Sequence, residues 1–436
     1  MKRPTEFERR PDLPYSVITC DLEGRIETFN DDAAKIFGYS ADEVVGKRRV
    51  SLFSPGEIVL GHVNGWLKAA VEHGEHCTHT TFVRRDGSRF AAQIRITPTY
   101  RSKGDEREHI GYCGVTQPLP DVSPDETMPD IGIGTRIFKW MVITRAPFLT
   151  AALVPVLIGA AWAAHSRQLA AFPWLSFVLA LVGALALHVA ANTFNDYFDH
   201  KSGTDDANND YFLPFSGGSR SIELGLVTPR RLFSVAMVSL LVAAGCGAAL
   251  VALSSPALLL YGLAGAFSAY FYTAPPLRLV ARKGLGELLI GLNFGPLITA
   301  GTVHALTGSV RTIDFLIGLP IGLLTTAILW INEFPDATSD ALTGKNHLVV
   351  QLGKKRARWG YLLLLTTAFG LVGAAIAGGT APRLAALCAL ALPLAVFATA
   401  VLFRHYESRA LVRANAATIQ LHLVFGLALA AGLLWG

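Results

Sequence analysis

Two segments of the sequence place acidic and amide side chains at helical spacing, each directly after a long apolar run. The first is NTFNDYFDHKSGTD, from Asn192 to Asp205, and the second is NEFPDATSDALTGK, from Asn332 to Lys345. Residues three or four positions apart share one face of a helix. Each segment therefore puts one asparagine and two aspartates on one face, namely Asn192, Asp196, Asp199, Asn332, Asp336 and Asp340.

Carboxylates that lie this close repel one another unless a cation neutralises them. Mg²⁺ prefers oxygen ligands, and proteins often hold it through one or two carboxylates together with the phosphate oxygens of a substrate. The two segments therefore predict a magnesium site that binds a diphosphate. A single acidic segment at a helix end is often only a solvated cap, but two related segments favour a shared site.

The composition indicates a membrane protein with a soluble part. The chain has 436 residues, of which 51% are hydrophobic and 16% charged, and its mean hydropathy is +0.40. Residues 1–118 are mixed and charged, whereas residues 147–436 contain repeated apolar runs that are long enough to cross a bilayer. Five scattered cysteines argue against a disulfide framework and a structural zinc site. The basic residues gather at membrane edges, so we expect no nucleic-acid partner.

The positions of the basic residues predict the topology of the bundle. About nine apolar segments follow Pro147: 147–164, 172–194, 232–253, 255–273, 285–306, 313–333, 359–379, 384–403 and 417–436. If the first segment enters from the cytosol, the non-cytosolic loops carry only Arg167, Arg311 and Arg383. The remaining loop residues are then cytosolic: Lys201, Arg220, Arg230, Arg231, Arg278, Arg282, Lys283, Lys345, Lys354, Lys355, Arg356, Arg358, Arg404, Arg409 and Arg413. Because cytosolic loops are enriched in Lys and Arg, both acidic segments are predicted to face the cytosol.

Residues 13–118 alternate short β-patterned runs with one or two helical runs, which predicts a soluble α+β domain. The stretch PLPDVSPDETMPD that follows is rich in proline and acids and has no period, so it indicates a linker. We therefore expect three parts, a soluble domain at 13–118, a linker at 119–136 and a membrane domain at 137–436. The N-terminus has no apolar core typical of a signal peptide, and the soluble domain is expected in the cytosol.

Four motifs in this order resemble the UbiA superfamily of intramembrane prenyltransferases. They are the segment from Asn192 to Asp205, the GGSR that ends at Arg220, the YTAPPLR and RKGLGE stretches of residues 272–287, and the segment from Asn332 to Lys345. The resemblance covers about residues 135–436 and is greatest to the 1,4-dihydroxy-2-naphthoate polyprenyltransferases of menaquinone synthesis. It implies a multi-pass all-α membrane bundle, about nine transmembrane helices, and transfer of a polyprenyl group from a diphosphate to an aromatic acceptor. The loop at 205–220 and the YTAPPLR stretch depart from the naphthoate pattern and leave the acceptor open.

The resemblance also implies roles for individual residues. Two Mg²⁺ ions would bridge the aspartates Asp196, Asp199, Asp336 and Asp340 to the diphosphate. Further substrate-binding candidates are the polar residues Asn192, Asn195, Asp205, Asn332, Lys201, Arg220, Arg282 and Lys345, the last four as clamps on the phosphates. The alternative for these basic residues is placement at the membrane edge. Candidate cation–π walls for an allylic cation are Tyr197, Phe198, Tyr272 and Phe294, for which ordinary packing is the alternative.

Residues 13–118 resemble a PAS sensor domain. The resemblance rests on DLEGRI at 21–26, on NDDAAKIFGY at 30–39, on RDGS at 85–88 and on IGYCGVT at 110–116. The reactive-cysteine motif of light-sensing flavin PAS domains is absent, since Cys20 and Cys77 stand in other contexts. The ligand of this domain is left open, and so is whether it has one. Its four clustered histidines, His62, His73, His76 and His79, are read as surface or core residues rather than haem ligands.

Two function classes follow from these features. The first is an integral membrane prenyltransferase, in the inner membrane of a bacterium, whose partners are a polyprenyl diphosphate, an aromatic acceptor and membrane lipid. The second is a non-enzymatic membrane sensor that binds a prenyl lipid or a quinone and signals through the PAS domain. The acidic segments favour the enzyme, because an uncharged quinone needs no cluster of carboxylates.

Overall fold

The chain divides into two units in a computed structural model, which describes residues 7–103, 106–202 and 219–436. One unit contains the chain up to Met141 together with Ser221–Thr228, and the other contains Val142–Arg220 and Pro229–Gly436 as far as they are described. The first is an α+β unit and the second is helical, which confirms the predicted fold class.

The first unit is built on a five-stranded antiparallel sheet in the order β2-β1-β5-β4-β3. The strands are β1 Ser16–Asp21, β2 Ile26–Phe29, β3 His76–Val83, β4 Arg89–Lys103 and β5 Glu106–Pro118. In β1 every second residue is buried, as expected for a strand with one face on a core. Phe37 lies at the centre of this core, with its ring centroid 4.3 Å from Phe53 and 5.7 Å from both Phe82 and Phe90.

The helices of this unit are α1 Asp31–Phe37, α2 Ala41–Val44, α3 Gly56–Ile58, α4 Asn64–His73 and α5 Ile133–Ile143, whose last two residues fall in the second unit. A π-helical turn, Val59–Val63, connects α3 to α4. Helix α1 begins where the Asn30 side chain accepts a hydrogen bond from Ala33 N, and it ends at Gly38, whose φ is 81°. An asparagine N-cap and a left-handed glycine are the usual ends of a helix.

The predicted linker at 119–136 differs from the structure at its end. Residues 119–132 contain no helix or strand, but α5 begins at Ile133. The sequence IGTRIFKWMVI has apolar residues at helical spacing and no proline, which explains why the irregular stretch stops there.

The second unit contains the helices α6 Thr150–Arg167, α7 Trp174–Ser202, α8 Pro229–Leu253, α9 Leu258–Phe271, α10 Leu285–Leu292, α11 Ile298–Thr307, α12 Thr312–Leu316, α13 Leu319–Leu342, α14 Leu348–Leu352, α15 Lys354–Ala377, α16 Leu392–His405 and α17 Val412–Trp435. A π-helical turn, Asn293–Leu297, joins α10 to α11. Within the described residues, eight segments are long and apolar enough to cross a membrane, and α9 is a shorter apolar helix. Together they correspond to the nine apolar runs of the sequence.

Helix α13 lies in the largest buried cluster of this unit, with side chains of α6, α15 and α17. Helix α13 and the Gly318 that precedes it also approach α10 and the π-helical turn very closely. A Cβ atom at Gly318 would lie 2.7 Å from Gly295 O, and one at Gly322 would lie 2.3 Å from Gly291 O. Small residues allow such close backbone contact between membrane helices, and this contact fixes the position of the helix that carries the second acidic segment.

Candidate active site

The first acidic segment forms the end of α7 that is predicted to face the cytosol. The helix continues through Asn192, Asn195, Asp196 and Asp199 to Ser202, so the predicted i, i+4, i+7 face exists. Asp196 and Asp199 are buried, whereas Lys201 is exposed. Residues 203–218 lie outside the described part of the chain, and with them Asp205 and the two glycines of GGSR.

The second acidic segment forms the end of α13. Asn332, Asp336 and Asp340 lie within this helix, which ends at Leu342. The Asn332 side-chain oxygen accepts a hydrogen bond of 2.7 Å from Asn415 Nδ2 on α17. Because this amide is held by a neighbouring helix, Asn332 has a defined orientation at the start of the segment.

Lys345 joins the two acidic segments. Its Nζ atom donates a hydrogen bond of 2.9 Å to Asp199 Oδ2 on α7 and lies 4.0 Å from Asp340 Oδ1 on α13. All three side chains are nearly buried. A buried cation between two carboxylates reduces their repulsion, and it brings the predicted metal-binding residues of both segments to one place.

His347 and two glutamates extend this polar cluster. His347 Nε2 lies 3.1 Å from Asp340 Oδ2, and its Nδ1 lies 3.4 Å from Glu333 Oε2. Glu287 on α10 accepts a hydrogen bond of 2.6 Å from Leu348 N. The Glu287, Glu333 and His347 side chains are all buried and offer ligand atoms within 4.8 Å of one another.

Asp196 lies on a different side of the cluster. Its carboxylate accepts hydrogen bonds from Ser219 N, at 3.2 Å, and from Ser219 Oγ. Ser219 is the serine of the GGSR motif, and Arg220 beside it is buried, with a positive φ of 48°. The structure thus connects the first acidic segment to the end of the GGSR motif, although the two are separated by more than twenty residues in sequence.

A cavity of about 560 Å³ opens beside both acidic segments. Most of its wall is apolar and comes from α7, α8, α9 and the α10–α11 region. Its polar wall contains eight of the predicted site residues, namely Asn192, Asn195, Asp199, Tyr272, Asn332, Asp336, Asp340 and Lys345. Asp196, Lys201, Arg220 and Arg282 lie outside the lining, and the Arg282 side chain donates to Leu277 O at 2.6 Å.

The four predicted aromatic residues separate into two groups. Phe294 and Tyr272 line the cavity, and the Phe294 ring packs 4.7 Å from the His188 ring. Tyr197 and Phe198 lie on the other side of α7, where they pack with Phe233 and Tyr270. For these two rings the structure therefore supports ordinary packing rather than a cation–π wall.

Several polar residues at the site were missed in the sequence. Arg145 lies at the cavity wall, as do Glu333 and His347, while Glu287 lies behind it. Glu333 had a local signal, because it follows Asn332 inside the second acidic segment. Glu287 ends the RKGLGE stretch and His347 follows Lys345 by two residues, but neither of them, nor Arg145, has a helical pattern that would place it beside the aspartates.

The cavity can accommodate a charged head and an apolar tail at the same time. Carboxylates and the Lys345 ammonium lie at one end, and aliphatic side chains line the remainder. This distribution suits an amphipathic ligand with an anionic head.

In the first unit, residues 14–114 match the PAS domain family.

Comparisons with known proteins agree with this geometry. Residues 152–434 match the UbiA prenyltransferase family. The 1,4-dihydroxy-2-naphthoate octaprenyltransferase of Bacillus subtilis (strain 168) is 30% identical over 297 residues, which are 67% of this chain and 91% of that protein. The protein of the same name from Mycobacterium tuberculosis is 33% identical over 230 residues, 53% of this chain and 75% of the relative.

The fold has a similar precedent among solved structures. The apo structure of a UbiA homologue from Aeropyrum pernix K1 is 18% identical and superposes with a TM-score of 0.52, covering 64% of this chain and 96% of the homologue. The match of the family over most of the chain, together with the paired acidic segments at one cavity, establishes that the chain belongs to the UbiA prenyltransferase family.

Proposed function

We propose that this protein transfers a polyprenyl group from a prenyl diphosphate to an aromatic acceptor, in a Mg²⁺-dependent reaction of quinone or menaquinone biosynthesis. One observation carries the proposal: Asp199, Asp336 and Asp340, from two distant helices, line the polar end of one otherwise apolar cavity. The names of the two bacterial relatives, both octaprenyltransferases acting on 1,4-dihydroxy-2-naphthoate, support the choice of acceptor class.

The residues at the polar end fit magnesium. Their donors are carboxylate oxygens of Asp199, Asp336 and Asp340 and the side-chain amides of Asn192 and Asn195, and hard oxygen donors are what Mg²⁺ prefers. Bound there, magnesium neutralises the negative charge that develops on the leaving diphosphate. Asp196 belongs to the same proposal, with its carboxylate positioned by Ser219.

The chain itself supplies cationic contacts to the diphosphate. Lys345 and Arg145 line the polar end of the cavity, and both can donate hydrogen bonds to phosphate oxygens. Arg220, Lys201 and Arg282 remain candidates for the same role. Fixed positive charges stabilise a leaving group best in a site from which water is excluded, which the apolar remainder of the cavity provides.

The polyprenyl tail is assigned to the apolar part of the cavity. Its walls include residues of α8 and α9 such as Leu240, Val251 and Leu263. Phe294 lies in the same cavity, and its ring face offers electron density to a developing allylic cation. The acceptor ring then attacks that carbon, which forms the new C–C bond as the C–O bond to the diphosphate breaks and the diphosphate leaves. The attacked ring carbon loses its proton, or its carboxyl group as CO₂, which restores the aromatic ring.

The proposal is tested with purified protein, Mg²⁺, a panel of prenyl diphosphates and a panel of aromatic acceptors, with products identified by mass spectrometry. Asp336→Asn and Asp196→Asn are expected to lower the rate by a factor of a hundred or more, since a lost metal contact costs about 3 kcal/mol of transition-state stabilisation. Glu407→Gln, at an exposed carboxylate, is the matched control. Metal-independent turnover, or near-normal rates in both aspartate variants, would contradict the mechanism.

We also propose that the protein lies in the inner membrane of a bacterium, with residues 1–135 and both acidic segments on the cytosolic side. The excess of Lys and Arg in the loops on that side supports this orientation. A cysteine introduced near residue 345 is expected to react with a membrane-impermeant thiol reagent only after the cytosolic side is exposed. Labelling of that cysteine from outside intact cells would reverse the topology.

The PAS unit is proposed to regulate prenyl transfer. Ser221–Thr228, the segment that follows Ser219 and Arg220 in the chain, belongs to the same unit as the PAS domain. Leu224 and Leu226 are buried there, and a Cβ atom at Gly56 of α3 would lie 2.0 Å from Leu224 O and 2.7 Å from Leu226 Cδ2. The segment thus packs against α3, and it follows directly after Ser219 and Arg220, of which Ser219 donates hydrogen bonds to Asp196.

A further inference from the structure

Four buried polar atoms on side chains that line the cavity have no hydrogen-bond partner among the described residues: Arg145 Nε, His188 Nδ1, the Tyr272 hydroxyl oxygen and Glu333 Oε2. Arg145 is assigned above to the diphosphate, and the His188 ring packs against Phe294, which leaves Tyr272 and Glu333. Both residues line the cavity, and the Tyr272 hydroxyl lies within electrostatic reach of the Glu333 carboxyl, so the two groups lie in one region of it. Buried polar groups in proteins almost always have a partner, so this pair points to a ligand that supplies one.

The polar neighbours of Glu333 already make other hydrogen bonds. Val350 N donates to His347 Nδ1 at 3.4 Å, which leaves the Nε2–H of that ring to donate to Asp340 Oδ2 at 3.1 Å. His347 Nδ1, at 3.4 Å from Glu333 Oε2, is then an acceptor facing an acceptor. Glu333 Oε2 therefore receives no hydrogen bond from the imidazole.

Glu287 does not complete a metal site here. Although Glu287, Glu333 and His347 lie close together, one Glu287 oxygen accepts from Leu348 N at 2.6 Å, and both His347 nitrogens are engaged as described above. The atoms that remain are one acceptor on Glu333 and one donor on Tyr272. A hydroxyl group satisfies both, because it donates one hydrogen bond and accepts another.

We propose that Tyr272 and Glu333 bind the ring hydroxyl of the aromatic acceptor. The Tyr272 hydroxyl donates to the acceptor oxygen, and the acceptor O–H donates to Glu333 Oε2. This inference rests on the proposed function. It identifies Tyr272 and Glu333 as the part of the cavity that selects hydroxylated rings. An O–H directed at a carboxylate also increases the electron density of the ring, which favours attack on an allylic carbon.

Such a site distinguishes acceptor rings that carry a hydroxyl group from rings that lack one, through its buried polar atoms. A ring that lacks the hydroxyl leaves both Tyr272 and Glu333 without partners, and sites built to hydrogen-bond a substrate hydroxyl reject analogues that lack it. His347 is a positioning residue in this arrangement, because it fills the space between Glu333 and Asp340.

The test compares two fluorescent probes that differ at one group, 1-hydroxy-2-naphthoate and 1-methoxy-2-naphthoate. Binding to the full-length protein in detergent is measured by fluorescence titration without a prenyl diphosphate. The wild-type protein is expected to prefer the hydroxy probe. Tyr272→Phe should weaken both probes about tenfold, since both oxygens accept a hydrogen bond, and tenfold is the usual effect of losing one such bond. Glu333→Gln should weaken the hydroxy probe alone and so remove the preference.

The matched control is Tyr261→Phe, since Tyr261 lines the same cavity in its apolar part and should bind both probes as the wild type does. Hydroxy-probe binding that is equal in Tyr272→Phe, Glu333→Gln and the control would overturn the inference. A thermal unfolding midpoint in detergent equal to that of the wild type shows that each variant is folded. Failure of the wild-type protein to transfer a prenyl group from geranyl diphosphate to 1,4-dihydroxy-2-naphthoate in the presence of Mg²⁺ would contradict the proposed function instead.

Discussion

Lys345 Nζ lies 2.9 Å from Asp199 Oδ2, and this contact joins residues that are 146 positions apart in the chain. It brings the end of α7 to the loop that follows α13. Lys345 Nζ also lies 4.0 Å from Asp340 Oδ1 on α13. The ammonium therefore stands between the two acidic segments, where a diphosphate would be bound.

Replacing Lys345 by methionine is expected to raise the KM for the prenyl diphosphate by about ten- to a hundredfold, because a charge-assisted hydrogen bond is worth about 1.5–3 kcal/mol. Lys345→Arg should retain part of the affinity, since the positive charge remains. Initial rates at varied donor and fixed acceptor concentrations give the KM. Lys355→Met, at an exposed lysine, is the control, and an equal KM in both methionine variants would exclude a phosphate contact.

The buried Asp314 is expected to stabilise the bundle without taking part in the chemistry. It accepts hydrogen bonds from Trp162 Nε1 and Arg167 Nη2, both at 2.8 Å, and from Arg311 N at 2.7 Å. Asp314→Ala removes the partner of three donors and should lower the free energy of unfolding by about 3–5 kcal/mol.

Thermal unfolding in detergent measures this loss, with Asp125→Ala at an exposed aspartate as the comparison. At a temperature where the variant is folded, its Mg²⁺ dependence should equal that of the wild type, because about twenty helical residues separate Asp314 from Asp336 and place them roughly 30 Å apart. A changed metal requirement would show that the two ends are coupled.

Gly56→Ala is expected to disturb the segment Ser221–Thr228. The new Cβ would lie 2.0 Å from Leu224 O, so the segment must move, and Ser219, two residues before it, should hold Asp196 less well. We expect a lower rate of prenyl transfer and faster hydrogen exchange at the amides of 221–228. Gly65→Ala has nothing within 4 Å of the added atom and serves as the control. If both variants exchange and react alike, the segment does not connect the PAS unit to catalysis.

The Cys20 thiol is expected to resist alkylation in the folded protein. It is 6% exposed in β1, and burial raises its pKa to about 12. Because the pKa is raised, the thiol remains protonated at pH 8, and the thiolate is the reactive form. Peptide mass spectrometry after iodoacetamide treatment should find Cys20 unmodified in the native protein and fully modified after unfolding. Rapid native modification at pH 8 would contradict the burial of this residue.

The sequence by itself determined which residues share a face. The helical period places Asn192, Asp196 and Asp199 on one side of α7, and it places Asn332, Asp336 and Asp340 on one side of α13, whatever surrounds them. Apolar runs likewise predicted the membrane helices, and alternating strands predicted the PAS-like unit. These features depend on neighbours a few positions away, which a sequence shows directly.

Only the tertiary structure decided which of those faces meet and what lies between them. Lys345 reaches Asp199 because α13 is packed closely against α10 and the π-helical turn through Gly318 and Gly322. No local pattern in the sequence predicts that contact. For the same reason, Glu287, Glu333 and His347 converge from three parts of the chain, while Phe198 turns away from the cavity that Phe294 lines. Contacts between distant helices are set by packing over the whole bundle, and the spacing of residues along one helix carries no information about them.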